Sequence, residues 1–495
     1  MSNWWRRDSA YAAALVLVAL LPRLYVALSW ASEPVWDGHY YDFGAHRIAE
    51  GFGYSDDRSE NGVSVWHPWC HYPVGYSAVL AMFYRLFGAS HHVAGVVNAS
   101  IGAALALVTW ALARRAMSEL RARVAGALVA LHPGLILYAA LVMTEPLAAL
   151  LTLLAFWLAV RDRLAWRGIT VGALVLGVAA LVRPQALLCA PFLALVDPSL
   201  RTRLAGARWL AVAKLAGAAA IACAIALLPV LPWTARNCRV MDGCALVSTN
   251  AGWNLAIGAF PRATGRFETL RSSDGCRDVT GQVQQDRCWF DYGVREIREN
   301  PVRWLALIPA KLGFTFDHES FAVEYLREAR PAAWPEDRRV LVRGMTTLVH
   351  RMLVAAAMLG CIAFRFGEGR RRSVTQGALL VLVALLGYIG FASGTPTFWP
   401  MVIFVSIVPW LPLPGRAEWP PALLLPIAML ATTVVTHAVF FGEDRYHEVV
   451  TPVLCMLAAA ALRAPASKTS GNRAFAVLHH ADGYNRVPVR EPPSP

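Results

Sequence analysis

Seven carboxylates crowd one short stretch: Glu33, Asp37, Asp42, Glu50, Asp56, Asp57 and Glu60, with only Arg47 and Arg58 against them. Charge runs of this kind are usually solvated faces. Asp37 stands out by position, inside Trp36-Asp37-Gly38-His39-Tyr40-Tyr41-Asp42, immediately after a long apolar segment. A carboxylate placed there meets the membrane surface and can reach a lipid headgroup. Further along, Gly51-Phe52-Gly53-Tyr54 and His71-Tyr72-Pro73-Val74-Gly75-Tyr76 punctuate the chain where it returns to the interface, as Gly and Pro do at turns. Aromatic residues at such depth ordinarily form an interfacial belt. Glu145 opens an apolar segment, where the orphan N–H groups of a helix start favour a carboxylate. Arg183 interrupts an apolar hairpin, and an ionisable group inside a membrane segment is costly and usually functional. Its structural alternative is a pair with a carboxylate such as Glu145.

These residues need elements to hold them, and the composition says which kind. The chain has 495 residues, of which 57% are hydrophobic and 16% charged, with a mean hydropathy of +0.44. Soluble domains carry about 25% charged residues, so a soluble enzyme, a disordered chain and a collagen-like chain are excluded. The formal net charge of +13 is dispersed along the chain, whereas a nucleic-acid footprint collects on one face; no nucleic-acid partner is expected. The lysines are only Lys214, Lys311 and Lys468, which matches codon bias in a GC-rich genome.

A helix needs about 20 apolar residues to cross a hydrocarbon core. Stretches of that character lie at roughly 10–30, 91–113, 122–139, 143–160, 168–182, 184–197, 209–231, 345–364, 374–393, 398–413, 421–441 and 447–462. The expected fold is therefore all-α, a polytopic transmembrane helical bundle of about twelve spans, with 304–316 either a further span or an interfacial helix. Arginines in the short loops, among them Arg6, Arg7, Arg114, Arg115, Arg161, Arg163, Arg201, Arg203, Arg370 and Arg371, fall on one side and mark it as cytoplasmic. Two large loops, 31–90 and 232–344, fall on the external side. Both termini are then cytoplasmic, with the tail 463–495 polar and disordered beyond a single membrane domain, 1–462. The first segment reads as an anchor rather than a removed signal peptide.

Of nine cysteines, Cys70, Cys238, Cys244, Cys276 and Cys288 lie in the external loops, where an oxidising compartment lets disulfides persist. Up to two bridges are expected among the last four, with pairing left open. No Cys-x-x-Cys or Cys/His spacing suggests zinc.

The order of the motifs is more specific than any one of them. An acidic residue with paired tyrosines (Asp37, Tyr40, Tyr41), a Gly-x-Gly-Tyr ending at Tyr54, and a Pro-x-Gly-Tyr ending at Tyr76 precede a helix closing on Leu86-Phe87-Gly88. Thr144-Glu145-Pro146, Arg183-Pro184, Pro232-Trp233-Thr234-Ala235-Arg236-Asn237, Ser248-Thr249-Asn250-Ala251-Gly252 and Glu443-Asp444-Arg445-Tyr446 with Pro452 follow. In this order they resemble the GT-C superfamily of membrane glycosyltransferases, in the branch of protein O-mannosyltransferases and lipid A aminoarabinose transferases, over most of residues 10–462.

The resemblance implies a GT-C type bundle in the bacterial inner membrane that moves a sugar from a polyprenyl-phosphate carrier to a lipid, glycan or protein acceptor on the periplasmic face, with inversion. A phosphate leaves without needing a proton, so the paired carboxyls of a glycosidase reduce to one base. By resemblance Asp37 is that base; the functional reading of Glu145 is a second acid that orients the acceptor or pairs with an Arg. Arg183, Arg445 and Arg236 are the candidate ligands of the donor phosphate, since a guanidinium binds phosphate oxygens bidentately; for Arg236 a loop-to-loop salt bridge is the structural alternative. Tyr40, Tyr41, Tyr54, His71, Tyr72 and Tyr76 are candidates to line the sugar or phosphate site. His71 and Tyr72 stand where aminoarabinose transferases carry an acid and a lysine, which argues against that sugar and against lipid A. With no Asp-x-Asp in the loop, neither metal nor other cofactor is expected. A lipid-linked saccharide flippase or transporter, and a polysaccharide polymerase or ligase, are the competing readings; the first places charges at mid-membrane, often in two related halves, a pattern this sequence lacks.

Overall fold

The structure is a computed structural model that describes residues 4–56, 59–60, 63–64, 66–162, 164–198, 208–363, 370–392, 394–411 and 419–462. Among these the chain is helical apart from a two-stranded ribbon pairing Ser59–Glu60 with Val63–Ser64. The expected tail lies outside the described residues.

Six helices are long and apolar enough to cross a membrane: Asp8–Ser29, His91–Ala113, Ala165–Val182, Glu336–Ile362, Val374–Phe391 and Pro421–Val439. Two bent pairs, Glu119–Leu131 with Pro133–Ala140 and Val212–Leu227 with Leu231–Val240, raise the number to eight if each is one span. The chain is thus a helical membrane protein, with six to eight full-length spans among the described residues where about twelve were expected, the remaining apolar stretches forming shorter helices. Proline is the main reason. Pro184 and Pro191 leave Pro184–Val196 as a 3-10 segment, and Thr451–Ala460 has 10 residues, about 15 Å at helical rise, half a hydrocarbon core. The stretch 304–316 is two short helices, Pro301–Ala306 and Ile308–Phe316.

The bend at His132-Pro133 shows how such breaks are tolerated. Pro133 has no N–H to give the carbonyl of Val129, and the buried Arg23 supplies the donor instead, with Nη2 2.9 Å from Val129 O and Nη1 2.6 Å from Ala130 O. A cation at a helix C-terminus also suits the dipole.

Three chain breaks position the site. Trp36, at φ 52°, turns the chain from the first helix into Asp37–Ala49; a bulky residue there is strained, a feature typical of functional sites. Gly38 lets that helix lie against Tyr325, whose hydroxyl a Cβ would strike while it accepts from Val35 N–H at 3.2 Å. Arg183 is extended (φ −143°, ψ 113°) between Ala165–Val182 and Pro184–Val196, as expected for a residue before proline. Arg445 sits in the 3-10 turn Asp444–Val449, where the Asp444 carboxylate receives the backbone N–H groups of Ser320 and Phe321.

The second long loop packs Phe260, Trp289 and Tyr292 with Phe441 and Tyr446 from the later chain in one small core. It carries two disulfides, Cys238–Cys244 and Cys276–Cys288, and Cys70 is a buried free thiol. Arg303 donates to the carbonyls of Ala259, Phe260 and Pro261 and pins this loop.

Candidate functional site

A cavity of about 540 Å³ opens where these breaks converge, lined by Asp37, Tyr41, His71, Tyr72, Glu145, Arg183, Asn250, Trp253, Arg445 and Tyr446 among others. Its centre is an ion pair bridging the two ends of the chain. Arg445 Nη1 donates to Asp37 Oδ2 at 2.5 Å, and Tyr72 Oη donates to Asp37 Oδ1 at 2.7 Å. Burial opposes charge on Asp37, but Arg445 and the Tyr72 hydroxyl outweigh it and hold the carboxyl below its usual range. Burial likewise opposes charge on Arg445, which Asp37 and Glu443 keep firmly protonated.

A second pair stands beside the first. Arg183 Nη1 lies 2.7 Å from Glu145 Oε1, the partnership that the sequence offered as the structural alternative for Arg183. Both still line the cavity. The Tyr446 ring separates the two cations, with the Arg445 guanidinium 4.9 Å and that of Arg183 5.3 Å from its centroid, and it stacks on His437 at 4.1 Å. Two guanidiniums thus stand beside one ring at the cavity, and a guanidinium's planar fork of N–H donors suits oxyanions.

Not every expected residue arrives. Arg236 is not in the cavity: its guanidinium donates to Tyr54 O at 2.6 Å, Trp69 O at 3.0 Å and Asn237 Oδ1 at 3.0 Å. It ties loops together, through carbonyls rather than a salt bridge, and this spends the donors a phosphate would need. Tyr76 is buried and donates to Asn98 Oδ1 at 2.8 Å, and Tyr54 donates to Tyr72 O at 3.1 Å from behind the wall. Tyr40 is 46% exposed and stacks on Tyr72 with centroids 5.5 Å apart. Tyr41, His71 and Tyr72 do line the space.

Residues not singled out from sequence complete it. Glu443 Oε2 lies 2.6 Å from Arg445 Nε; burial pushes its carboxyl up to about 7 despite that neighbour. Asn250 and Trp253 enter from the second long loop, Trp253 against His71 at 5.8 Å. The run Glu443 to Tyr446 was visible as a motif, but only packing reveals which way each side chain points. A narrower cavity shares Arg183, Gln185, Thr436, His437 and Tyr446 and continues between helices along Ala148, Thr152, Cys189 and Met429.

No protein-family model matches the chain, and no curated protein does. Among solved structures, it is similar to the Archaeoglobus fulgidus oligosaccharyltransferase tethered with an acceptor peptide, at 16% identity and a TM-score of 0.44 over 93% of this chain and 50% of that one. It is also similar to ArnT from Cupriavidus metallidurans bound to undecaprenyl phosphate, at 16% identity and a TM-score of 0.35 over 92% of this chain and 78% of that one. The chain spans about half the length of the archaeal enzyme. Likeness at these scores carries no inference about chemistry.

Proposed function

We propose that this protein is an inverting membrane glycosyltransferase of the GT-C type that transfers a sugar from a polyprenyl-phosphate carrier to a hydroxyl acceptor at the external face of a bacterial inner membrane. The observation that carries the reading is a single cavity holding an ionised carboxylate, Asp37, beside two ring-spaced guanidiniums, Arg445 and Arg183.

In this reading the donor phosphate sits between Arg445 and Arg183 and its prenyl chain enters the narrow cavity toward Met429. The acceptor oxygen attacks the anomeric carbon on the face opposite the phosphate and gives its proton to Asp37. The bond from anomeric carbon to phosphate oxygen breaks, and the phosphate leaves with added negative charge. Fixed cations aimed at that charge lower the barrier more than they stabilise the ground state. Glu145 holds Arg183 in place rather than acting alone, and the aromatic wall of Tyr41, His71, Tyr72 and Trp253 receives the sugar.

Binding of a polyprenyl phosphate to the protein in nanodiscs tests the anion site. Charge-assisted hydrogen bonds are worth about 1.5–3 kcal/mol, so Arg445→Ala and Arg183→Ala should each weaken binding about ten- to hundredfold, while Arg236→Ala, provided it folds, leaves it unchanged. Affinity unaltered in both of the first two variants would remove the phosphate from this cavity.

A further inference from the structure

A second cluster of ionisable groups lies behind Arg445, outside the cavity. Glu319, His350, His447, His132 and Glu448 are each at most 4% exposed. Glu319 Oε2 is 3.4 Å from His447 Nε2, 3.8 Å from His132 Nε2 and 3.9 Å from His350 Nδ1, and Glu448 Oε1 is 3.9 Å from His447 Nε2. A Cβ on Gly134 would strike both carboxylates, so this glycine makes the room they occupy.

Backbone carbonyls settle which ring nitrogens carry protons, because a carbonyl only accepts. His447 Nδ1 must donate to Thr315 O at 2.7 Å, and His350 Nε2 to Phe316 O at 2.9 Å. In their neutral forms, His447 Nε2 and His350 Nδ1 are therefore bare lone pairs, and both face a carboxylate oxygen. Lone pairs do not attract one another. His350 Nδ1, Glu319 Oε1 and both Glu448 oxygens are buried without hydrogen-bond partners, and among the described residues no Arg or Lys forms an ion pair with either glutamate. Such an arrangement is expensive unless a proton or a metal cation bridges these groups.

We infer that Glu319, His350 and His447, with Glu448 alongside, bind one divalent cation of the zinc type. The candidate ligand atoms of Glu319, His350 and His447 lie within 4.8 Å of one another. Tetrahedral ligands about 2.0–2.2 Å from zinc stand roughly 3.3 Å apart, close to the 3.4 Å from His447 to Glu319. The carbonyls of Thr315 and Phe316 are the outer partners that metal-bound imidazoles generally have. Two carboxylates and a divalent ion sum to zero charge. The ligands come from a loop, the helix Glu336–Ala363 and the turn Asp444–Val449, so the ion pins the turn that presents Arg445. None of this depends on the transferase reading.

The test uses the full chain, purified without a polyhistidine tag, stripped with a chelator and dialysed against excess Zn2+ or Co2+. Elemental analysis should return about one equivalent of zinc, and Co2+ should give the intense visible bands of a four-coordinate ion; His447→Ala should lose both. A folded wild type that takes up no metal would overturn the inference and leave a proton shared within the cluster. Glu319→Gln separates the two readings by stability. A glutamine mimics a protonated glutamate, so an unchanged Tm speaks for the shared proton, and a lowered Tm with lost zinc speaks for the metal. Where a variant does not fold, the wild-type cobalt spectrum decides.

Discussion

Arg445 carries the site, because three groups converge on it: Asp37, Glu443 and the Tyr446 ring. Glu443 makes that convergence pH-dependent. Its carboxyl, raised to about 7, is neutral below that value and ionised above it, so above it Arg445 faces two carboxylates and has less positive field left for a phosphate. Donor affinity should therefore fall as pH rises through about 7, and Glu443→Gln should flatten the profile; an identical profile in that variant would contradict the assignment. The residue types were legible in the sequence. Asp37 and Arg445 were nominated from motifs 408 residues apart, and Arg183 from its place in an apolar hairpin. Arg236 was a candidate by residue type too, yet its donors go to loop carbonyls and the Asn237 side chain, a distinction that needs coordinates. The Glu319, His350 and His447 cluster left no trace because these three residues are far apart in sequence.

At the scale of elements, the position of Asp37 rests on how closely its helix approaches Tyr325. Gly38→Ala places a methyl against the Tyr325 hydroxyl. Overpacking of this kind costs about 1–3 kcal/mol, so the variant should melt at lower temperature and lose activity with Asp37 intact; wild-type stability and turnover would show that the approach is not needed. Helix boundaries were readable where apolar runs were uninterrupted, as in His91–Ala113 and Pro421–Val439. They were misread where proline cut the run. The stretch 122–139 bends by 51° at His132-Pro133, and 184–197 becomes 3-10, because hydropathy counts apolar residues without asking whether each can donate its N–H. Those same breaks place Arg183 and leave room for Glu319.

For the molecule as a whole, the arginine-rich short loops and the two long loops imply opposite sides of a membrane. Arg298 lies on the exposed face of the second long loop and Arg115 in a short one. A cysteine introduced at position 298 should react with an impermeant maleimide in intact cells, and one at 115 only after permeabilisation; the reverse pattern would invert the orientation and move the cavity to the cytoplasm. The membrane character and the helical bundle followed from composition alone. The number of full spans did not, since several apolar stretches form short or bent helices.

The most direct test of the central claim is donor consumption by purified protein in nanodiscs supplied with radiolabelled polyprenyl-phosphate sugars and a mixed hydroxyl acceptor pool, comparing wild type with Asp37→Asn. Asparagine keeps the shape and the contact with Tyr72 but cannot accept a proton, and general-base catalysis contributes about 10²–10⁴-fold. The account predicts turnover by the wild type and at least a hundredfold loss in Asp37→Asn, with donor still bound. Equal turnover by the two proteins would contradict it.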